Sequence, residues 1–279
     1  MSIFDTFPKR HDFLVCVDSD GCAMDTMDIK HIRCFGPCMV AEWDLDQWRD
    51  PILKRWNEIN LYTMTRGINR FQGLSQALTE IDAKYTPIEG VAELSAWVAE
   101  TDELSNHALQ EAIHNGGGIC LKKALHWSQA VNMAITQLPD EEKKPFPGAL
   151  AGLEAAHAVA DVVVVSSANR DAVVEEWEKY GLLRHVDLLL AQDAGTKSYC
   201  IAQLLNKGYD PRHVLMVGDA PGDQAAAEQN GVWFYPILVR HESESWAELT
   251  ETALDKLLCR NYQSYGQEKA AAFHHNLGA

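Results

Sequence analysis

Long apolar runs, paired cysteines and any surplus of positive charge are all missing from this chain of 279 residues. No hydrophobic stretch approaches the length needed to cross a bilayer, so no membrane span is expected. Residues 1–12 carry charge and Pro8 without the apolar centre of a secretion signal. Lysine and arginine number 24 against 40 aspartates and glutamates, a formal net charge of -16. So acidic a chain can spare no broad basic face for a phosphate backbone, and nucleic acid is excluded as a partner. A small anion is still accommodated if a metal ion and a few cations gather locally. The seven cysteines (Cys16, Cys22, Cys34, Cys38, Cys120, Cys200 and Cys259) are odd in number and irregular in spacing. Cys34 and Cys38 form a C-x3-C with no second pair, which argues against zinc and fits a reducing, cytoplasmic setting. Internal repeats and low-complexity tracts are also lacking. What remains, 47% hydrophobic and 23% charged, is the composition of an ordinary soluble globular protein.

Against that background one stretch stands out. Phe13 to Val17 is an apolar run that leads straight into Asp18-Ser19-Asp20-Gly21. The run reads as a strand buried on both faces, with Asp18 and Asp20 just past its carboxyl end. Open α/β sheets bind ligands at that edge. Two acids delivered to one point repel each other unless something offsets them, and a divalent cation is the usual answer. A strand followed by an inert Asp-Gly turn is the plainer alternative.

From Met27 to Lys143 helical signals dominate. Asp50-Pro51 marks a helix start, and Ile52, Leu53, Trp56 and Ile59 follow at helical spacing. Phe71 to Ile81 and Val91 to Val98 predict two more helices. A fourth, from Leu104 to Ile113, is stopped by Gly116-Gly117-Gly118, and a fifth ends at Pro139. Five of the eight tryptophans lie in this region (Trp43, Trp48, Trp56, Trp97, Trp127), which predicts an independent helical core packed around them. Residues 140–147 are charged and then proline-punctuated, a boundary. Beyond it, helices alternate with short buried strands at Val162–Val165, Val186–Leu190, Val214–Val217 and Val232–Tyr235. Such alternation predicts a parallel sheet with right-handed crossovers, joined by the opening strand. The plan is thus an α/β core of residues 1–26 and 144–262, an inserted helical domain over 27–143, and a loosely ordered tail over 263–279.

In a parallel sheet the strand ends all face one edge. That edge collects Asp18, Asp20, Asp219 and Asp223, the hydroxyl of Ser166 after the Val162–Val165 strand, and Lys197 at the start of a helix. Oxygen-only ligands suit magnesium. Asp18 can then serve as a nucleophile, with its repulsion toward phosphate screened by metal and Lys197. Asp20 can pass a proton to the leaving oxygen and later take one from water.

With these residues in place the chain resembles the haloacid dehalogenase-like (HAD) superfamily. Its four motifs occur in order: strand-D-x-D-G at Asp18–Gly21, a strand ending in Ser at Ser166, a helix-start lysine at Lys197, and strand-G-D-x-x-x-D at Val214–Asp223. The resemblance implies a Rossmann-like core and an aspartyl-phosphate on Asp18, with Asp20 as acid/base and Ser166 and Lys197 holding the phosphoryl group. It implies Mg2+ on Asp18, the backbone carbonyl of Asp20 and Asp219, with Asp223 as ligand or support. The acid at position 20 points within the family to a phosphatase or phosphomutase, because haloalkanoate dehalogenases lack one there. Cys22 stands where the family usually has Thr or Val.

The inserted domain resembles the family's helical C1-type cap, at about twice the usual length. Its Thr65-Arg66-Gly67-Ile68-Asn69-Arg70 segment is similar to a turn of β-phosphoglucomutase-like members, whose arginine grips a remote phosphate. By that match Arg70 contacts a second anionic group and Arg66 assists, although a polar interhelical turn accounts for both arginines equally well. Asn169 and Arg170 follow Ser166 closely. Asn169 is a candidate for the phosphate edge, with capping of the next helix as the competing role. His31 reads as a linker residue, and Met24–Lys30 and Lys143–Pro147 as hinges. The leading expectation is a phosphomonoesterase acting on a small phosphorylated metabolite. A phosphomutase, or a ligand-binding protein on the same fold, is the alternative. Substrate identity and oligomeric state are not legible.

Overall fold

The computed structural model describes residues 3–279; Met1 and Ser2, the first residues of the predicted core segment, lie outside it. Its strands are β1 (Leu14–Val17), β2 (Met24–Asp25), β3 (Lys144–Pro145), β4 (Asp161–Val165), β5 (Leu188–Leu190), β6 (Val214–Gly218) and β7 (Trp233–Pro236). Five of them form a parallel sheet in the order β5-β4-β1-β6-β7. β1, β4 and β6 are the β-branched runs seen in the sequence, and every residue in them is buried, as strands covered on both faces must be. β1 is central, with Val17 opposite Val164 of β4 and Val217 of β6. The chain continues from β1 toward β4 and β5, then returns to the other side for β6 and β7. The order therefore reverses between β1 and β6, where an open α/β sheet leaves a crevice at its carboxyl edge.

The chain divides into two compact units. One takes in the chain through Met27 together with Asp140–Ala279, and the other is Asp28–Pro139. The second unit is helical. α1 (Met27–Lys30) passes through a π turn at His31–Phe35 into α2 (Gly36–Glu42). α3 (Arg49–Leu61), α4 (Arg70–Lys84), α5 (Val91–Glu100), α6 (Asn106–His114) and α7 (Ile119–Thr136) follow. Asn69 caps α4 reciprocally, accepting from Phe71 N while Gln72 accepts from Asn69 N. The core of this unit is aromatic: Trp56 and Trp127 are fully buried, edge to face at 6.0 Å, and Phe71 meets Trp127 at 6.3 Å. These tryptophans are packing residues. His31 stacks on Phe35 at 4.5 Å rather than lying in an open linker.

In the first unit α8 (Ala149–His157), α9 (Arg170–Lys179), α10 (Lys197–Leu205), α11 (Pro221–Asn230), α12 (Glu242–Glu248), α13 (Leu254–Leu258) and α14 (Tyr262–Asn276) surround the sheet. One sheet face (Val15, Val17, Val162, Val164, Leu215, Val217) packs on residues of α8, α9, α12 and α13, including Trp177 and Trp246. The expected loose tail is corrected by α14. Phe273 is fully buried, edge to face on Phe234 at 5.3 Å, and Asn276 bonds both backbone groups of Val239. Strands β2 and β3 pair as a short antiparallel ribbon, so the two connections to the inserted segment are tied to each other. Among the described residues no helix is long and apolar enough to cross a membrane.

Candidate active site

The site begins where β1 ends. Asp18 N still donates to Val217 O at 3.0 Å, so the ladder holds its backbone while its side chain leaves the sheet edge. Residues 19–24 then fold into a tight turn. Ser19 O accepts from the amides of Cys22, Ala23 and Met24 at 3.3, 3.0 and 2.9 Å, and Gly21 takes φ +80°, a conformation that favours glycine. Ser19 N donates to Asp18 Oδ1 at 2.7 Å. The Asp18 carboxylate is thereby oriented by its own neighbour before any other strand contributes.

The Gly218–Asp223 segment supplies the opposite wall. Pro221 opens α11, and the Asp223 carboxylate folds back to accept from Asp219 N at 3.2 Å and Ala220 N at 3.0 Å. That return brings it against Gly218, where a β-carbon would lie 2.3 Å from Asp223 Cγ. Gly218 is thus required by the close approach. Lys197 reaches the same point as the first residue of α10, whose amino end is capped by Thr196. Its ammonium lies 2.6 Å from Asp18 Oδ2 and 2.6 Å from Asp223 Oδ1.

Burial lifts the Asp18 carboxyl well above its ordinary range, to about 8. Lys197 opposes the rise, and Asp223 and Asp219 add to it. Burial would likewise drive Lys197 down, but Asp18 and Asp223 outweigh it and hold the ammonium above its usual range. Lys197 therefore stays charged, and Asp18 carries the desolvation penalty. The Cys22 thiol is raised by burial and then by Asp219, Asp18 and Asp223, so it stays protonated and offers no competing nucleophile. Oxygens of Asp18, Asp219 and Asp223 all lie within 4.8 Å of one another. Three buried carboxylates against one ammonium, with oxygen the only donor, fit a hard divalent cation. Asp18 and Asp219 are the better placed to hold it: Asp18 meets one partner at each oxygen, whereas Asp223 Oδ2 already accepts from two amides and its Oδ1 meets Lys197.

The haloacid dehalogenase-like hydrolase model matches residues 91–237, just over half of the chain and inclusive of Ser166, Lys197, Asp219 and Asp223. The chain belongs to the haloacid dehalogenase-like hydrolases. One solved structure agrees at the level of fold. A haloacid dehalogenase-like family hydrolase from Xanthomonas campestris is 13% identical over 92% of this chain and 99% of that one, with a TM-score of 0.52. A predicted phosphoglycolate phosphatase from Haemophilus somnus is 14% identical over 81% of this chain and 85% of that one, at 0.46. No curated protein matches.

Within this hydrolase the structure brings together Asp18, Lys197, Asp219 and Asp223. Asp20 lies on the same turn, and its Oδ1 accepts from the buried Thr26 hydroxyl at 2.6 Å. Ser166 is buried at the end of β4, where its amide donates to Leu190 O and its hydroxyl accepts from Ala168 N at 3.1 Å. Asn169 does cap α9: its oxygen accepts from Asp171 N and Ala172 N at 3.0 and 3.3 Å, which corrects its assignment to substrate. Arg66 is corrected likewise. Its side chain is 1% exposed, bonded to Leu61 O at 2.8 Å and 3.8 Å from Asp28 within the helical unit. Arg70 is held in that unit by Ser128 and Asn132 and lies over the Phe35 ring. The sequence reading missed Thr26, Ser19, Trp177 and Trp246. Trp177 Nε1 donates to Ser19 Oγ, and Trp246 Nε1 donates to Cys22 O. No spacing rule links the two tryptophans to the carboxylates; only the packing of α9 and α12 does.

Proposed function

We propose that this hydrolase is a magnesium-dependent phosphomonoesterase that acts on a small phosphorylated metabolite through an aspartyl-phosphate. The observation that carries the reading is the pair Asp18 and Asp20 on one turn, with the Lys197 ammonium 2.6 Å from Asp18. One carboxylate is held beside a cation that favours its ionised form, as a nucleophile toward phosphorus needs. The other is partly exposed and bonded to a hydroxyl, as a proton shuttle needs.

In the first step an Asp18 oxygen forms a bond to phosphorus, the bond to the ester oxygen breaks, and Asp20 gives that oxygen its proton. In the second, water adds to the same phosphorus while Asp20 takes the water proton, and the bond to Asp18 breaks to release phosphate. Lys197 and the Ser166 hydroxyl hold the phosphoryl oxygens. Magnesium on Asp18, the Asp20 carbonyl and Asp219 supplies neutralising charge when bound. In this reading Asp28–Pro139 is the cap that excludes water and selects the leaving group. The free cysteines support a reducing, cytoplasmic setting.

Hydrolysis of p-nitrophenyl phosphate with magnesium tests the reading. Asp18→Asn is expected to lower the rate by at least about a thousandfold. Hydrolysis that survives this substitution overturns the mechanism.

A further inference from the structure

Ser19, between the two carboxylates, is fully buried and engaged at every polar atom. Its amide holds Asp18, its carbonyl gathers the turn that carries Asp20, and its hydroxyl meets the indole of Trp177 at 2.8 Å. Trp177 is fully buried on α9, two turns beyond the Asn169 cap. Its ring packs in the core under the sheet. Packing alone does not require its one polar atom to face the residue joining the two acids, yet a buried indole N–H must find an acceptor. At the far end of the same turn Trp246, fully buried on α12, bonds Cys22 O at 3.0 Å. Two indoles from separate helices thus pin the segment from Ser19 to Cys22 at both ends.

We propose that Trp177, acting through Ser19, is a positioning residue for phosphoryl transfer. Its indole fixes the rotation of Ser19 and hence the aim of the Asp18 carboxylate and the Asp20 carbonyl. The inference rests on the phosphotransfer reading, because aim matters only if Asp18 attacks. Without the bond the turn loses its lateral anchor, and the hydrogen bonds of its Cys22, Ala23 and Met24 amides open more often. Displacement of a reacting group by about 1 Å can cost about a hundredfold in rate. The partial loosening expected here corresponds to a fall of about tenfold in kcat, with KM changed by less than about twofold.

The experiment uses p-nitrophenyl phosphate with magnesium and four variants: Trp177→Phe, Ser19→Ala, their combination, and Tyr235→Phe. The last removes a buried hydrogen bond to Ser245 O in the same core, two strands away from β1. It measures the effect of core damage alone. Trp177→Phe and Ser19→Ala are expected to lower kcat equally, and the double variant no further, because all three lack one and the same bond. Amide hydrogen exchange at Cys22, Ala23 and Met24 is expected to accelerate in these variants and to stay unchanged in Tyr235→Phe. The inference is overturned if either single variant keeps kcat within about twofold of wild type. It is also overturned if the two effects multiply, or if Tyr235→Phe shows the same kcat loss. Failure of the phosphotransfer reading appears elsewhere, as activity surviving Asp18→Asn.

Discussion

Gly218→Ala puts the construction of the carboxylate cluster to a quantitative test. An added β-carbon would sit 2.3 Å from Asp223 Cγ and 2.4 Å from its Cβ and Oδ2, all below the 3.0 Å that β-carbons respect. Asp223 is fully buried, so it cannot swing into solvent. Either the backbone of β6 shifts or the carboxylate leaves Lys197 and the amides of Asp219 and Ala220. Overpacking of this kind costs about 1–3 kcal/mol, and breaking a buried charged pair costs about 3–5 kcal/mol. The molecule takes the cheaper mixture, so a loss of about 2–4 kcal/mol is expected in urea denaturation. Lys197 then holds Asp18 less firmly, and hydrolysis should fall by about a hundredfold or more. Gly222→Ala, four residues on, is the internal contrast. Nothing lies within 4 Å of its added carbon, and the site is helical, so it should stabilise by up to about 1 kcal/mol. The reasoning is refuted if Gly218→Ala unfolds within about 0.5 kcal/mol of wild type and keeps its activity.

Three further outcomes follow from the same geometry. Burial raises the Asp18 carboxyl to about 8 in the folded protein, against about 4 unfolded, so its contribution is fully present below the lower value and lost as pH rises toward the upper. Magnesium needs the ionised form, so its elevation of Tm should be larger near pH 8 than near pH 5, and equal elevation at both would contradict this. Thr26→Val removes the 2.6 Å bond to Asp20 and should slow hydrolysis of alkyl phosphates by roughly tenfold while aryl phosphates, which need less proton donation, slow less. Phe273→Ala should cost about 3–5 kcal/mol in a urea titration; a loss under about 1 kcal/mol would mean that α14 is dispensable.

Much of this was legible because two physical constraints leave plain marks in sequence. A strand buried on both faces is apolar along most of its length, and β1, β4 and β6 are read at once from Leu14–Val17, Val162–Val165 and Val214–Val217. Parallel strands share one edge, so Asp18, Lys197 and Asp219 could be gathered without coordinates. Where the constraint is tertiary, the marks fail. α14 buries only Tyr262 and Phe273 across its length, too sparse a stripe for periodicity, and it is held by Phe234 on edge strand β7 and Val239 just beyond it. Strands β2 and β3 are two residues each and are defined by each other alone. Asn169 and Arg66 are polar residues beside promising motifs, and only the atoms around them show that they serve a helix end and a buried turn.

Asp223 shows where residue counting stops being informative. By composition the sheet edge offers four carboxylates, and each looks as much a ligand as the next. The structure separates them by what their oxygens already do. Asp223 spends Oδ1 on Lys197 and Oδ2 on two amides at the start of α11, and only a glycine at 218 lets it come that near. Its carboxylate therefore works through Lys197: with Asp18 it offsets the burial that favours discharge of the ammonium, and the ammonium in turn faces Asp18. The spacing G-D-x-x-x-D is then the consequence of one helical turn. The first acid is left at the sheet edge for a cation, and the second folds back beneath it to hold the lysine.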